Sequence, residues 1–141
     1  MPAFDELRDR FDLTDGSGEV SLVVTTYNRR DALALVLKSA LRQSEPPLEI
    51  LVADDGSRND TRELVEQIAR TAPLPVHHCW QEDDGFRASA IRNKAFARAQ
   101  ADYLVMIDGD IVLHRDFICD HARAAVPGRL VQGSRALLSK K

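Results

Sequence analysis

The sequence predicts an α/β protein, a mostly parallel β-sheet flanked by helices. Three observations carry that prediction. From Val20 onward, short apolar runs alternate with amphipathic segments of helical period. The connections between them are short and rich in Pro, Gly, Asn and Asp. Three of the apolar runs end abruptly in polar clusters: Thr25-Thr-Tyr-Asn28, Asp54-Asp-Gly-Ser57 and Asp108-Gly-Asp110. Strand–helix alternation with short links implies right-handed crossovers between parallel strands.

The elements follow in order. Residues 1–19 are polar and acidic and read as a leader. Within it, Phe4, Leu7 and Phe11 have helical spacing, and Asp15-Gly-Ser-Gly18 is a turn signal. Residues 20–141 form the domain. Its first strand is Val20–Val24. A helix is expected from Asp31 to Gln43, with Leu33, Val36, Leu37, Ala40 and Leu41 on one face. Pro46-Pro47 closes it. Leu48–Ala53 is the second strand. The second helix starts at Asp60 or Thr61, both suitable caps, with Glu63 in the first turn. Its apolar face is Leu64, Val65, Ile68 and Ala69. Pro73 and Pro75 break the chain before a short third strand, Val76–Trp80. Gln81–Phe86 is a loop, and a third helix runs from Arg87 to Gln100. Tyr103–Ile107 is a buried strand ending in Asp108-Gly-Asp110. A fourth helix over Asp116–Ala125 follows, and Leu130–Gly133 begins a fifth strand.

Bulk properties narrow the function classes. At 141 residues the chain suits one domain, and its 44% hydrophobic content suffices for a core. A net charge of −3, with basic residues spread along the chain, argues against a general nucleic-acid binder. Cys79 and Cys119 lie in or beside apolar segments and read as free thiols rather than a disulfide framework. No stretch approaches the roughly 20 apolar residues of a membrane span, and the start lacks a signal-peptide pattern. The expected location is cytoplasmic, with attachment to the inner face of a membrane left open.

Parallel strands present the same end to the same side, so the three polar clusters converge on one edge of the sheet. In open α/β sheets that edge binds ligands. Two acids as close as Asp108 and Asp110 repel each other unless a cation or water separates them. A divalent cation, Mn2+ or Mg2+, with a phosphate-bearing ligand answers that requirement. Tyr27 can stack on a base. Asp54 or Asp55 can accept a hydrogen bond from a base N–H. Gly109 lets backbone approach phosphates without a side chain intervening. Taken singly, each cluster also has a plainer reading: a strand-ending turn at Tyr27-Asn28, a helix-capping loop at Asp54–Ser57, a common acidic pair at Asp108–Asp110. Their recurrence after successive strands favours the ligand site.

Four stretches resemble family 2 glycosyltransferases of the GT-A fold: Val23–Asn28, Ile50–Ser57, Gly85–Asn93 and Tyr103–Asp110. The resemblance spans about residues 20–135. Asp83-Asp-Gly-Phe-Arg87 is similar to the branch holding bacterial chondroitin polymerases and related galactosyltransferase-like domains. The implied fold is the Rossmann-like nucleotide-diphospho-sugar transferase fold. The implied activity is metal-dependent transfer of a sugar, with inversion, from a UDP-sugar to a saccharide or other hydroxyl acceptor.

By that resemblance Thr25 and Tyr27 contact the base, Asp55 binds its imino group and Asp54 supports Asp55. Arg92 and Asn93 approach ribose and phosphates, and Asp108 holds the ribose and, with Asp110, the metal. Arg87 is either a further phosphate contact or a solvated arginine at a helix start. Thr25 stands where many relatives carry proline. The family's catalytic domain continues past the end of this sequence, so the donor half is expected here without the acceptor half. The general base is then expected beyond Lys141, since Asp116 and Asp120 suit a helix start and surface, and His114 an exposed position. A sheet cut at that point keeps an open edge, which favours self-association.

Other classes fit less well. A non-catalytic nucleotide-sugar binder shares the donor site but transfers nothing. A receiver-like signalling module needs a single phosphoacceptor Asp with later Lys and Ser/Thr, and Tyr27 and Arg92-Asn93 do not suit it. A nucleotidyltransferase needs a Gly-rich basic loop where Thr25–Asn28 stands.

Overall fold

The computed structural model describes residues 18–138. The leader helix expected from Phe4, Leu7 and Phe11 lies outside the described residues. Four strands and four helices alternate: β1 (Val20–Thr26), α1 (Arg30–Ala40), β2 (Glu49–Asp54), α2 (Asn59–Thr71), β3 (Val76–Trp80), α3 (Ala88–Arg98), β4 (Tyr103–Asp108) and α4 (Phe117–Ala124). The strands form one parallel sheet in the order β3-β2-β1-β4.

The continuous apolar character of β1 and β2 follows from their central place, with helices on both faces. Side chains alternate between two cores. Leu22, Val24, Ile50 and Val52 pack with Leu33, Val36 and Leu37 of α1, Leu64 and Val65 of α2 and Ile118 of α4. On the other face Val23, Leu51 and Ala53 meet Ile91 and Ala95 of α3. Among the described residues that second face has only one helix, and α3 lies across β1, β2 and β3. On β4 the result is a split strand: Val105 and Ile107 are buried, whereas Leu104 and Met106 are 38% and 48% exposed.

One strand position breaks the apolar pattern. Glu49 is buried, and its carboxylate accepts from Ser21 Oγ (2.6 Å) and the Gln100 N–H (2.6 Å), with His77 Nε2 at 3.3 Å. A buried charge is tolerated when its lone pairs are filled in this way. The network ties the start of β2 to the start of β1 and to the turn before β4.

Several expected boundaries move. α1 stops at Ala40 rather than Gln43, because its last turn tightens, with Arg42 N–H donating to Ser39 O at 3.2 Å. The Gln43 side chain instead bridges elements, donating to His114 O (2.8 Å) and accepting from the Ile118 N–H (2.9 Å). α2 begins at Asn59, ahead of the expected caps, and Asp60 lies in its first turn, where a carboxylate suits the helix dipole. Arg87 is the residue preceding α3 rather than its first, and the helix ends at Arg98. Residues 130–133 form no strand: Leu130 is 95% exposed, and no neighbouring strand pairs with the segment. Both cysteines are buried free thiols, as expected.

Candidate functional site

Strand register brings the polar clusters together. Thr25 of β1 is level with Ala53 of β2 and with Asp108 of β4, and Thr26 is level with Asp54. The turns after β1, β2 and β4 therefore share one edge of the sheet.

The first two turns are stitched to each other. Asn28 has φ +48°, a left-handed conformation that Asn tolerates better than most residues. Its N–H donates to Ser57 Oγ (2.8 Å), and its Oδ1 accepts from the Arg58 N–H (3.0 Å). Asp54 is fully buried. Oδ1 accepts from the Ser57 N–H (2.8 Å), and Oδ2 accepts from His78 Nε2 (2.8 Å). Asp54 thus shapes the turn and supports its neighbour without reaching the surface.

Of the pair Asp54-Asp55, it is Asp55 that lines the cavity at this edge. Its Oδ1 accepts from Gln81 Nε2 (2.6 Å) and its Oδ2 from the Arg87 N–H (2.8 Å). The loop 81–87 is thereby seated on the β2 turn. Gly56, at φ +95°, permits that seating: a Cβ there would lie 2.6 Å from Asp83 Cα. Tyr27 reaches the same loop, its hydroxyl donating to Asp83 Oδ2 at 2.9 Å. Asp83 accepts this bond and repels a phenolate, pushing the Tyr27 hydroxyl above its ordinary value. Tyr27 is therefore a neutral donor whose ring orientation is set.

On the other side, Arg92 of α3 joins β1 to β4. Nε donates to Thr25 Oγ1 (3.0 Å) and Nη2 to Asp108 Oδ1 (3.1 Å). The turn at Gly109 closes onto β1, its N–H donating to Thr25 O at 2.7 Å, and a Cβ there would lie 2.6 Å from that oxygen.

These groups enclose a cavity of ≈ 480 Å³. Of the residues nominated from sequence, Thr25, Tyr27, Asp55, Arg92 and Asp108 line it. Asp54, Arg87, Asn93 and Asp110 do not. The Arg87 guanidinium turns into its own loop, with Nη2 donating to Glu82 O (2.7 Å) and Nη1 3.9 Å from Asp84. Asn93 is an exposed residue of α3 away from the lining, and Asp110 is exposed just beyond it. The structure adds Asp83, Gly85 and the 93% exposed Phe86 from the loop after β3. The signal for them was present, since a loop that follows a parallel strand opens on the same edge as the others.

The donor chemistry fits a hard divalent cation. Asp108 and Asp110 offer carboxylate oxygens, and Asp110 has no ion-pair partner among the described residues. No group of three or more His, Cys, Asp or Glu gathers as a cage among the described residues. Mg2+- and Mn2+-type ions are commonly bound through one or two carboxylates together with water and phosphate oxygens.

Comparisons with known proteins identify the family and the fold. The family description "Glycosyl transferase family 2" matches residues 21–137. The hyaluronan synthase of Pasteurella multocida is 34% identical over 93 residues, covering 65% of this chain and 9% of that protein. The mannosyltransferase PcManGT from Pyrobaculum calidifontis, solved with GDP-Man and Mn2+, superposes with TM-score 0.69 at 26% identity, over 80% of this chain and 34% of that one. S. aureus TarS 1-349 with UDP-GlcNAc gives TM-score 0.68 at 25% identity, over 82% and 37% respectively. The chain therefore spans about a third or less of these relatives. Its parallel sheet with flanking helices is that of a GT-A protein, and the chain belongs to glycosyl transferase family 2.

Proposed function

We propose that this chain is the donor-binding part of a glycosyltransferase that uses a UDP-sugar with Mn2+ or Mg2+. The observation that carries the reading is the convergence of Thr25, Tyr27, Asp55, Arg92 and Asp108 on one cavity. Tyr27 offers its ring face to the base, and Asp55, an acceptor, takes the base N–H. Asp54 acts one step back by holding the turn. Arg92 supplies a cation at the point where the diphosphate would pass, and Asp108 accepts from a ribose hydroxyl. Asp108 and Asp110 would hold the metal, which when bound offsets charge on the diphosphate leaving group.

Transfer to a saccharide or other hydroxyl acceptor, with inversion, is proposed for the whole enzyme rather than assigned to residues here. The proposed location is cytoplasmic or at the inner face of a membrane; no helix among the described residues is long and apolar enough to cross one. Self-association is also proposed, supported by the unpaired edge of β4 and its exposed Leu104 and Met106. Sedimentation as a concentration-independent monomer would count against it.

Thermal melting tests the donor site, because a ligand that binds only the folded state raises the melting temperature. The chain is compared with UDP and Mn2+, GDP and Mn2+, and Mn2+ alone. The proposal expects selective stabilisation by UDP with metal, and loss of the metal-dependent part in Asp110→Ala. Equal stabilisation by GDP, or none in a folded chain, would sink it. A second reading, a donor binder without transferase activity, differs only in lacking sugar transfer by the longer protein.

A further inference from the structure

Gln81, just past β3, is 5% exposed and does not line the cavity. Its side-chain nitrogen lies 2.6 Å from Asp55 Oδ1 and 3.2 Å from the backbone oxygen of Arg87. Both partners are acceptors, which fixes the amide orientation with the nitrogen toward them. The amide oxygen is then buried with no hydrogen-bond partner. An orphaned buried acceptor is costly, so the amide's donor bonds to Asp55 and Arg87 offset a penalty that a glutamine brings here.

The effect of Gln81 falls on Asp55. That carboxylate accepts one neutral donor on each oxygen, from Gln81 and from the Arg87 N–H. The two bonds pin the carboxylate plane. Each oxygen keeps a further lone pair for a ligand. Gln81 also bonds the Arg87 carbonyl, which accepts from the Ala90 and Ile91 N–H groups at the start of α3. One side chain thus links the carboxylate to the helix that carries Arg92.

We propose that Gln81 is the positioning residue for nucleobase recognition: it holds the Asp55 carboxylate in a fixed orientation, which selects a base presenting a ring N–H over one presenting a bare ring nitrogen. The inference rests on the nucleotide reading of the site. Uracil presents N3–H, whereas cytosine presents an acceptor at the same place. In Gln81→Glu a carboxylate replaces the donor beside Asp55. The carboxylate plane of Asp55 is then no longer held by that donor, and discrimination narrows.

The test measures dissociation constants of UDP and CDP, each with Mn2+, by calorimetry on the whole chain and on Gln81→Glu and Gln81→Met, with a thermal melt of each protein. The wild-type chain should prefer UDP, and Gln81→Glu should narrow that preference by about tenfold or more. Gln81→Met, similar in length but unable to donate, should narrow it less while still melting cooperatively. Proportional weakening of both nucleotides, with the ratio unchanged, would assign Gln81 a purely structural role and overturn the proposal while leaving the nucleotide site standing. A folded wild-type chain that binds neither nucleotide would overturn both. Should Gln81→Glu fail to fold, an unchanged ratio in Gln81→Met overturns the proposal.

Discussion

His78 Nε2 donates to the Oδ2 of fully buried Asp54 at 2.8 Å, tying β3 to the turn that ends β2. The other oxygen of Asp54 is held by the Ser57 N–H. His78→Ala leaves a buried carboxylate with half its partners. We expect a loss of about 1–3 kcal/mol in urea unfolding, with weaker UDP-dependent stabilisation because Asp55 adjoins that turn. Unfolding like wild type would show that Asp54 does not need this bond.

Gly56→Ala tests the seating of the 81–87 loop. A methyl group there meets Asp83 backbone, at a φ that L residues rarely adopt. The two effects add, and destabilisation of about 2–4 kcal/mol is expected. Gly85→Ala, with φ +75° but open space around it, should cost less. Equal costs at the two positions would remove contact with Asp83 as the reason for glycine.

Arg92→Lys distinguishes a fork from a charge. The guanidinium reaches Thr25 and Asp108 together, and an ammonium cannot reproduce both directions. UDP affinity in the presence of Mn2+ should fall about tenfold or more in both Arg92→Lys and Arg92→Ala. Full retention by the lysine variant would reduce the role of Arg92 to its charge.

Asp110→Ala should leave folding intact, because the side chain is exposed and has no ion-pair partner among the described residues. The metal-dependent part of nucleotide binding should disappear. Calorimetry of UDP with and without Mn2+ checks both halves of this expectation.

His121 sets a pH dependence. Burial, with only partial opposition from the charge of Asp120, lowers its folded-state value below the ordinary 6.5. Its ring packs on Phe117 with centroids 4.5 Å apart, and its Nδ1 is buried without a partner. The folded state therefore binds fewer protons than the unfolded chain. The stability contribution is intact above about pH 6.5 and is lost as pH falls toward the lower folded-state value. Unfolding midpoints between pH 7.5 and about 5 should drop less steeply in His121→Phe. Identical slopes would assign the acid sensitivity to other groups.

The sheet was legible in the sequence because β1 and β2 are buried on both faces, and continuous apolar runs are the signature of that position. The ends of helices were less so. The α1 end depends on Gln43 reaching His114 and Ile118, partners more than 70 residues away that no local pattern reveals. The Leu130–Gly133 strand failed because apolar content alone supplies no neighbour for backbone hydrogen bonds. In the site, strand ends could be read directly, whereas Arg87 could not. Its position before α3 suited either a phosphate contact or a solvated arginine, and only the structure shows its guanidinium bonding the Glu82 carbonyl and lying near Asp84 in its own loop. Gln81 drew no attention because a lone amide in a loop has no signature; only its placement against Asp55 gives it meaning.

The strand order also sets a sequence of events. β4 pairs with β1, across two intervening strand–helix units, rather than with β3, its predecessor among the strands. Loop closure of that length makes β4 docking a late and slow step relative to the neighbouring β1–β2 and β2–β3 pairings. A chain emerging from the ribosome can shape the Tyr27–Asp55 side of the cup before Asp108 exists. The half proposed to grip a base would mature first, and the half proposed to grip phosphate and metal would arrive with β4. A ligand that needs both halves would then act as a latch on β4, drawing its binding energy into the β1–β4 pairing.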